Sequence, residues 1–100
     1  MDFTGKTAGV TGGASGIGKA VAQALHASGA KVAVADMNAE GAASVGAACG
    51  GFGARVDVTD EHVLTRFLNK VERELGPVDV YISNAGIGVS DGPGWGAGDA

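Results

Sequence analysis

Thr11-Gly12-Gly13-Ala14-Ser15-Gly16-Ile17-Gly18 is the stretch whose reading decides the fold. Before it runs a short strand-like segment, Thr7 to Thr11. After it comes a helical pattern from Ile17 to Ser28, with Ile17, Val21 and Leu25 on one face and Lys19, Gln23 and His26 on the other. A glycine-rich turn from strand into helix lets main chain approach a diphosphate closely and aims helix N-terminal amides at its charge. Gly12, Gly16 and Gly18 supply the turn, the approach and the tight helix packing. The spacing is Gly-x-x-x-Gly-x-Gly rather than the commoner Gly-x-Gly-x-x-Gly, so the flanking elements carry much of the reading.

Those elements continue in a regular order. Gly29 closes the first helix, and Lys31 to Asp36 is an apolar run of the kind buried on both faces of a parallel sheet. Asn38 is positioned to cap a second helix, the weakest element, because Gly41 and Gly46 each cost about 1 kcal/mol relative to alanine. Ala54 to Val58 reads as a third strand, with Thr59 capping a third helix that has Asp60 and Glu61 in its first turn. The apolar stripe of that helix is Val63, Leu64, Phe67, Leu68, Val71 and Leu75. Val78 to Ser83 is a fourth strand, and a glycine-rich loop follows.

This β-α-β-α-β-α-β order predicts an α/β fold, a Rossmann-type doubly wound parallel sheet of strand order 3-2-1-4, truncated after the fourth strand. The first two helices should cover one face and the third the other. The crevice between strands one and four is then the switch point where ligands bind. Residues 1–100 are expected to form one partial dinucleotide-binding domain, with 87–100 as a mobile loop.

Asp36 refines the ligand. A carboxylate at the end of the second strand, eighteen positions past Gly18, accepts hydrogen bonds from a ribose diol and repels a 2′-phosphate. Ser15 and Met37, the neighbouring positions where a cation would rescue NADP, are not basic, so the expected cofactor is NAD. The plainer alternative is a strand-end acid facing solvent. A triphosphate loop, Gly13-x-x-x-x-Gly18-Lys19, fails at Ala20, which has no hydroxyl for Mg²⁺. A methyltransferase also uses an acid after strand two, but the long glycine turn suits a diphosphate better.

Composition excludes other classes. Glycine is 19 of the 100 residues, against a usual share of about 7%, and only the group at Gly12 to Gly18 has ordered spacing. A net charge of −4 with interspersed signs argues against nucleic acid and against a polybasic membrane contact. Cys49 stands alone, no Cys/His cluster has metal-ligand spacing, and no apolar leader or membrane-length run is present. A cytoplasmic protein is expected. Cys49 reads as core filler, and His26 and His62 as solvated side chains without partners.

The sequence resembles the short-chain dehydrogenase/reductase family. Thr11-Gly12-x-x-x-Gly16-x-Gly18, Asp36, the Asp57-Val58 pair and Asn84-Ala85-Gly86 match its motifs in order and spacing. The resemblance implies that Ile17 and Gly18 line the phosphates and that Asp57 and Val58 contact the adenine. It also implies that Asn84, Ala85 and Gly86 shape the cofactor edge of the sheet. With Gly12, Ser15, Gly16, Asp36 and Met37 these make the candidate cofactor-binding set. Gly9 departs from the bulky aliphatic usual there and should weaken its strand.

The family's chemistry uses a Tyr-x-x-x-Lys pair with an orienting serine and asparagine. Tyr81 is the one tyrosine, and Ala85 follows it four positions on; Ser83 and Ser90 come too early to be the family serine. No residue is assigned a catalytic role. The expectation is the NAD(H)-binding N-terminal portion of an alcohol/ketone oxidoreductase, inactive by itself, the alternative being a non-catalytic nucleotide-binding or assembly module. Trp95 reads as part of the glycine-rich loop. Val78, Val80 and Ile82, near an unpaired sheet edge, point to self-association or a homo-oligomer.

Overall fold

The continuous apolar runs form the centre of the sheet. In a computed structural model, which describes residues 2–84, β1 (Thr7–Thr11) and β2 (Lys31–Asp36) are buried almost throughout. Between and after them come α1 (Gly16–Ala27), α2 (Ala39–Ala48), β3 (Gly53–Arg55), α3 (Glu61–Glu74) and β4 (Val80–Ser83). The strands pair in parallel in the order β3-β2-β1-β4, the doubly wound arrangement read from the sequence. The stretch 87–100, with Ser90 and Trp95, lies outside the described residues. Among the described residues no helix is long and apolar enough to cross a membrane.

Strand alternation divides the core in two. Ala8, Val10, Val32 and Val34 pack with Ala22 and Leu25 of α1 and with Ala42, Val45 and Cys49 in and just after α2. Ala33 and Ala35 face the other way, against Val56 and the Phe67 and Val71 of α3. Two helices therefore cover one face and α3 the other, as expected. All six residues of the α3 stripe join this second cluster. Full burial of side chains such as Phe67 and Val71 stabilises by about 1.5–3 kcal/mol each.

The α2 glycines have a packing reason. A Cβ at Gly46 would overlap the main chain of Phe52 and Gly53, so the missing side chain lets α2 lie directly on β3. Asn38 caps α2 as read, its Oδ1 accepting the Gly41 N–H at 3.1 Å.

Several boundaries differ from the sequence reading, each for a local reason. α1 buries Gly18, Ala22 and Leu25, while Ile17 is 67% exposed. The helix approaches the glycine turn too closely for a large residue on its inner face. β3 ends at Arg55 rather than Val58. Val56 N–H still donates to the Asp36 carbonyl at 3.0 Å, but Asp57 then folds into a side-chain turn with Thr59. The cap of α3 is Asp60, not Thr59. Asp60 Oδ1 accepts from the His62 and Val63 amides, while the Thr59 hydroxyl donates to Asp57.

At the start of β4, the carboxylate of Asp79 accepts the Thr7 N–H at 3.0 Å and its own N–H donates to the Thr7 carbonyl. A side chain thus takes a ladder position, and the strand begins at Val80 rather than Val78. His26, expected to lack a partner, has Nδ1 3.1 Å from the Ala30 carbonyl oxygen, a bond made by the Nδ1-protonated ring. Cys49 is buried as expected.

Gly9 sits opposite Tyr81 in the β1–β4 register, and the space above it is bounded by Tyr81, Leu68 and Phe67. A Cβ there would make ordinary contacts of 3.7–4.0 Å with these three residues. Gly9→Ala is therefore predicted to stabilise the fold by about 0.5–1 kcal/mol, from lower unfolded-chain entropy and new packing. Urea denaturation measures this, and a loss of stability would contradict the open space described.

Candidate cofactor-binding site

The carboxyl ends of β1, β2 and β4 converge on the glycine turn. Gly12 and Gly16 take left-handed backbone angles, φ 68° and 59°, which bend the chain away from β1 and then into α1. Gly18 serves packing instead, because a Cβ there would overlap the Gly12 carbonyl and lie 2.6 Å from Asn84 Nδ2. Gly13, outside the candidate set, would place a Cβ 2.7 Å from a Val34 methyl.

The turn is tied to the sheet on both sides. Gly12 N–H donates to the Ala35 carbonyl at 2.7 Å. Asn84, at the end of β4, donates its side-chain amide to the Gly12 carbonyl at 3.1 Å and its N–H to Thr11 Oγ at 3.0 Å. The buried Thr11 hydroxyl in turn reaches the Ile82 carbonyl at 3.5 Å. Asn84 thus joins the end of β4 to the turn, whereas Ala85 and Gly86 lie outside the described residues.

The start of α1 differs from the other two helix starts. Ser15 is exposed, occupies the capping position in extended backbone and makes no side-chain cap bond, and no acid stands in the first turn. The first amides of a helix have no intrahelical acceptor. Those of Gly16, Ile17 and Gly18 therefore concentrate the positive end of the helix dipole beside the turn, while Asn38 and Asp60 cap α2 and α3. Such a terminus is suited to an anionic ligand.

Asp36 is partly exposed at the end of β2. Its Oδ2 accepts the Ala14 N–H at 3.1 Å and its Oδ1 accepts the Asn38 N–H at 2.9 Å. Met37, 53% exposed, follows it, so Met37 and Ile17 offer two exposed apolar side chains near the turn. Arg55 is the register partner of Asp36 on β3, a cation that the sequence reading did not bring to the site.

Beyond β3, Asp57 Oδ1 accepts the Thr59 hydroxyl at 2.6 Å and the Thr59 N–H at 3.0 Å. These two bonds, with a smaller contribution from the Arg55 charge, hold the Asp57 carboxyl below its ordinary pKa. Val58 is half-buried against the second core. Lys19 is exposed and Ala20 carries no hydroxyl, so the residues a triphosphate loop needs do not come together. Among the described residues no group of three or more His, Cys, Asp or Glu could hold a metal ion.

This arrangement coincides with a known family. A model of the short chain dehydrogenases matches residues 6–94. The chain belongs to the short-chain dehydrogenase family. It is 42% identical over 89 residues to the 3-oxoacyl-(acyl-carrier-protein) reductase FabG of Escherichia coli (strain K12), covering 87% of this chain and 36% of that protein.

Among solved structures it is similar to one titled ribose-5-phosphate isomerase from Brucella melitensis 16M, with a TM-score of 0.78 and 42% identity. That match covers 85% of this chain and 33% of the other. A hydroxysteroid dehydrogenase from Escherichia coli matches with a TM-score of 0.75 and 36% identity, over 82% of this chain and 37% of the other. The chain spans about a third of the length of the relatives it matches.

Two outcomes test this geometry. Gly18→Ala forces α1 away from the Gly12 carbonyl and should destabilise by about 1–3 kcal/mol in urea denaturation, the usual range for overpacking; an unchanged midpoint would contradict the contact. Thr59→Val removes the hydroxyl that contributes most to the Asp57 shift, so the carboxyl titration followed by NMR should move up toward the ordinary aspartate value. The native Asp57 favours the fold above that ordinary value, and the contribution is lost as pH falls through the depressed one. The variant should therefore show less of this acid-side loss.

Proposed function

We propose that this chain binds a nicotinamide dinucleotide, NAD in preference to NADP, as the cofactor portion of an oxidoreductase interconverting alcohols and ketones. The observation that carries the reading is the uncapped start of α1 beside the glycine turn, with a carboxylate at the neighbouring strand end. The amides of Gly16, Ile17 and Gly18 serve the diphosphate. Asp36 accepts the adenosine ribose diol, each charge-assisted bond contributing about 1.5–3 kcal/mol, and its charge opposes a 2′-phosphate. Met37, Asp57 and Val58 are assigned to the adenine side.

Nicotinamide chemistry supplies a hydride donor or acceptor. The residues of this chain bind and orient that group, and none of the described residues is assigned a catalytic role. Tyr81 has a structural place opposite Gly9 on β4. The relatives' own names include a reductase, a dehydrogenase and an isomerase, so the oxidoreductase reading rests on family membership rather than on fold likeness alone. Self-association through β4, whose half-buried Val80 and Ile82 pack against the first core cluster, is part of the same proposal.

Calorimetric titration with NADH, NADPH and S-adenosylmethionine decides among ligands. NADH is expected to bind about tenfold or more tightly than NADPH, the loss of one or two diol bonds plus repulsion. Tighter NADPH binding would overturn the role of Asp36, and binding of S-adenosylmethionine alone would overturn the reading.

A further inference from the structure

Asp36 is engaged within the chain itself. Its two oxygens accept amides from separate segments: Ala14, in the middle of the glycine turn, and Asn38, the residue that caps α2. Asn38 passes the connection on by accepting the Gly41 N–H, and Gly41 is where α2 meets the turn. A Cβ at Gly41 would stand 3.0 Å from the Ala14 methyl and 2.7 Å from Asn38 Nδ2, so glycine is what lets the two segments close up.

The remaining anchors of the turn lie at its beginning. Gly12 is held by Ala35 and Asn84, the Gly13 N–H also reaches the Ala35 carbonyl at 3.5 Å, and α1 takes over at Gly16. Between them, among the described residues, the Asp36 carboxylate is the side chain that accepts a turn amide. Each carboxylate oxygen has a second lone pair, so this bond leaves capacity for a ribose hydroxyl.

We infer that Asp36 is a positioning residue for the phosphate turn: by accepting the Ala14 N–H it sets the turn ahead of the ligand, so affinity for the diphosphate depends on Asp36 even where no ligand hydroxyl reaches it. The ligand half of this statement rests on the dinucleotide reading; the ligand-free half does not. It also has a consequence for specificity. A substitution that admits a 2′-phosphate by removing both the charge and the acceptor oxygen also releases the turn, so NADPH affinity does not simply rise as NADH affinity falls.

The first test needs no ligand. Amide hydrogen exchange is followed by NMR in the full chain, in Asp36→Ala and in Asp36→Asn. In the alanine variant the Ala14 amide should exchange about tenfold faster while Val34, in the core of β2, keeps its native rate. The asparagine variant retains an acceptor oxygen and should hold Ala14 within about threefold of native. Native Ala14 exchange in Asp36→Ala would overturn the clasp. Should Val34 protection also collapse in the alanine variant, Asp36→Ser, whose hydroxyl is too short to reach Ala14, replaces it with the same expectation.

The second test uses an NAD analogue with a 2′,3′-dideoxy adenosine ribose. Asp36→Ala should still weaken its binding about fivefold, roughly one hydrogen bond, and equal affinity for native and variant chains would overturn the link from turn to affinity. If the native chain binds no form of NAD, the proposed function fails, and the exchange measurement alone still decides whether Asp36 holds the turn.

Discussion

The contact between Gly18 and the Gly12 carbonyl is the constraint on which the site depends. Because no side chain stands at Gly18, α1 begins against the turn rather than beyond it. This proximity explains why the inner face of the helix is Gly18, Ala22 and Leu25, and why Ile17, the larger residue, is left exposed. It also explains Asn84, whose side-chain amide satisfies the same Gly12 carbonyl from the far side of β1. The strand, turn, helix and fourth strand thus meet at one carbonyl oxygen, and the uncapped helix amides are held beside it.

The sheet supplies the rigidity that such a turn needs. β1, and β2 between its end residues Lys31 and Asp36, are built of small or β-branched residues, buried on both faces by helices that approach closely. α2 follows the same logic as α1, since Gly46 lies against the main chain leading into β3. The glycines that weaken these helices intrinsically are those that permit the approach, so local propensity gives way to packing. Asp79 extends the register of β4 with a side-chain bond where the ladder has not yet begun.

Much of this was legible in the sequence because periodicity and punctuation agree. β1 and β2 have the bounds their apolar runs indicate, the α3 stripe packs as a unit, and the parallel order follows from strands alternating with helices. The misread features were those decided by contacts distant in sequence or by rival local bonds. Hydropathy assigns Ile17 inward, and only the overlap at Gly18 reverses it. Thr59 and Asp60 are adjacent capping types, and Thr59 is taken by Asp57, which also cuts β3 short. Asp36 stands out in the sequence for its charge at a strand end. Its bond to Ala14 spans twenty-two positions and has no local signature.

A backbone amide chemical-shift map of the full chain, recorded as NADH is added, reads the binding role of the α1 terminus most directly. The largest shifts are expected at Gly16, Ile17 and Gly18, with further shifts at Asp36 and Met37 and little change on the outer face of α3. Saturating NADH that leaves the amides at the start of α1 unmoved would contradict a diphosphate site there.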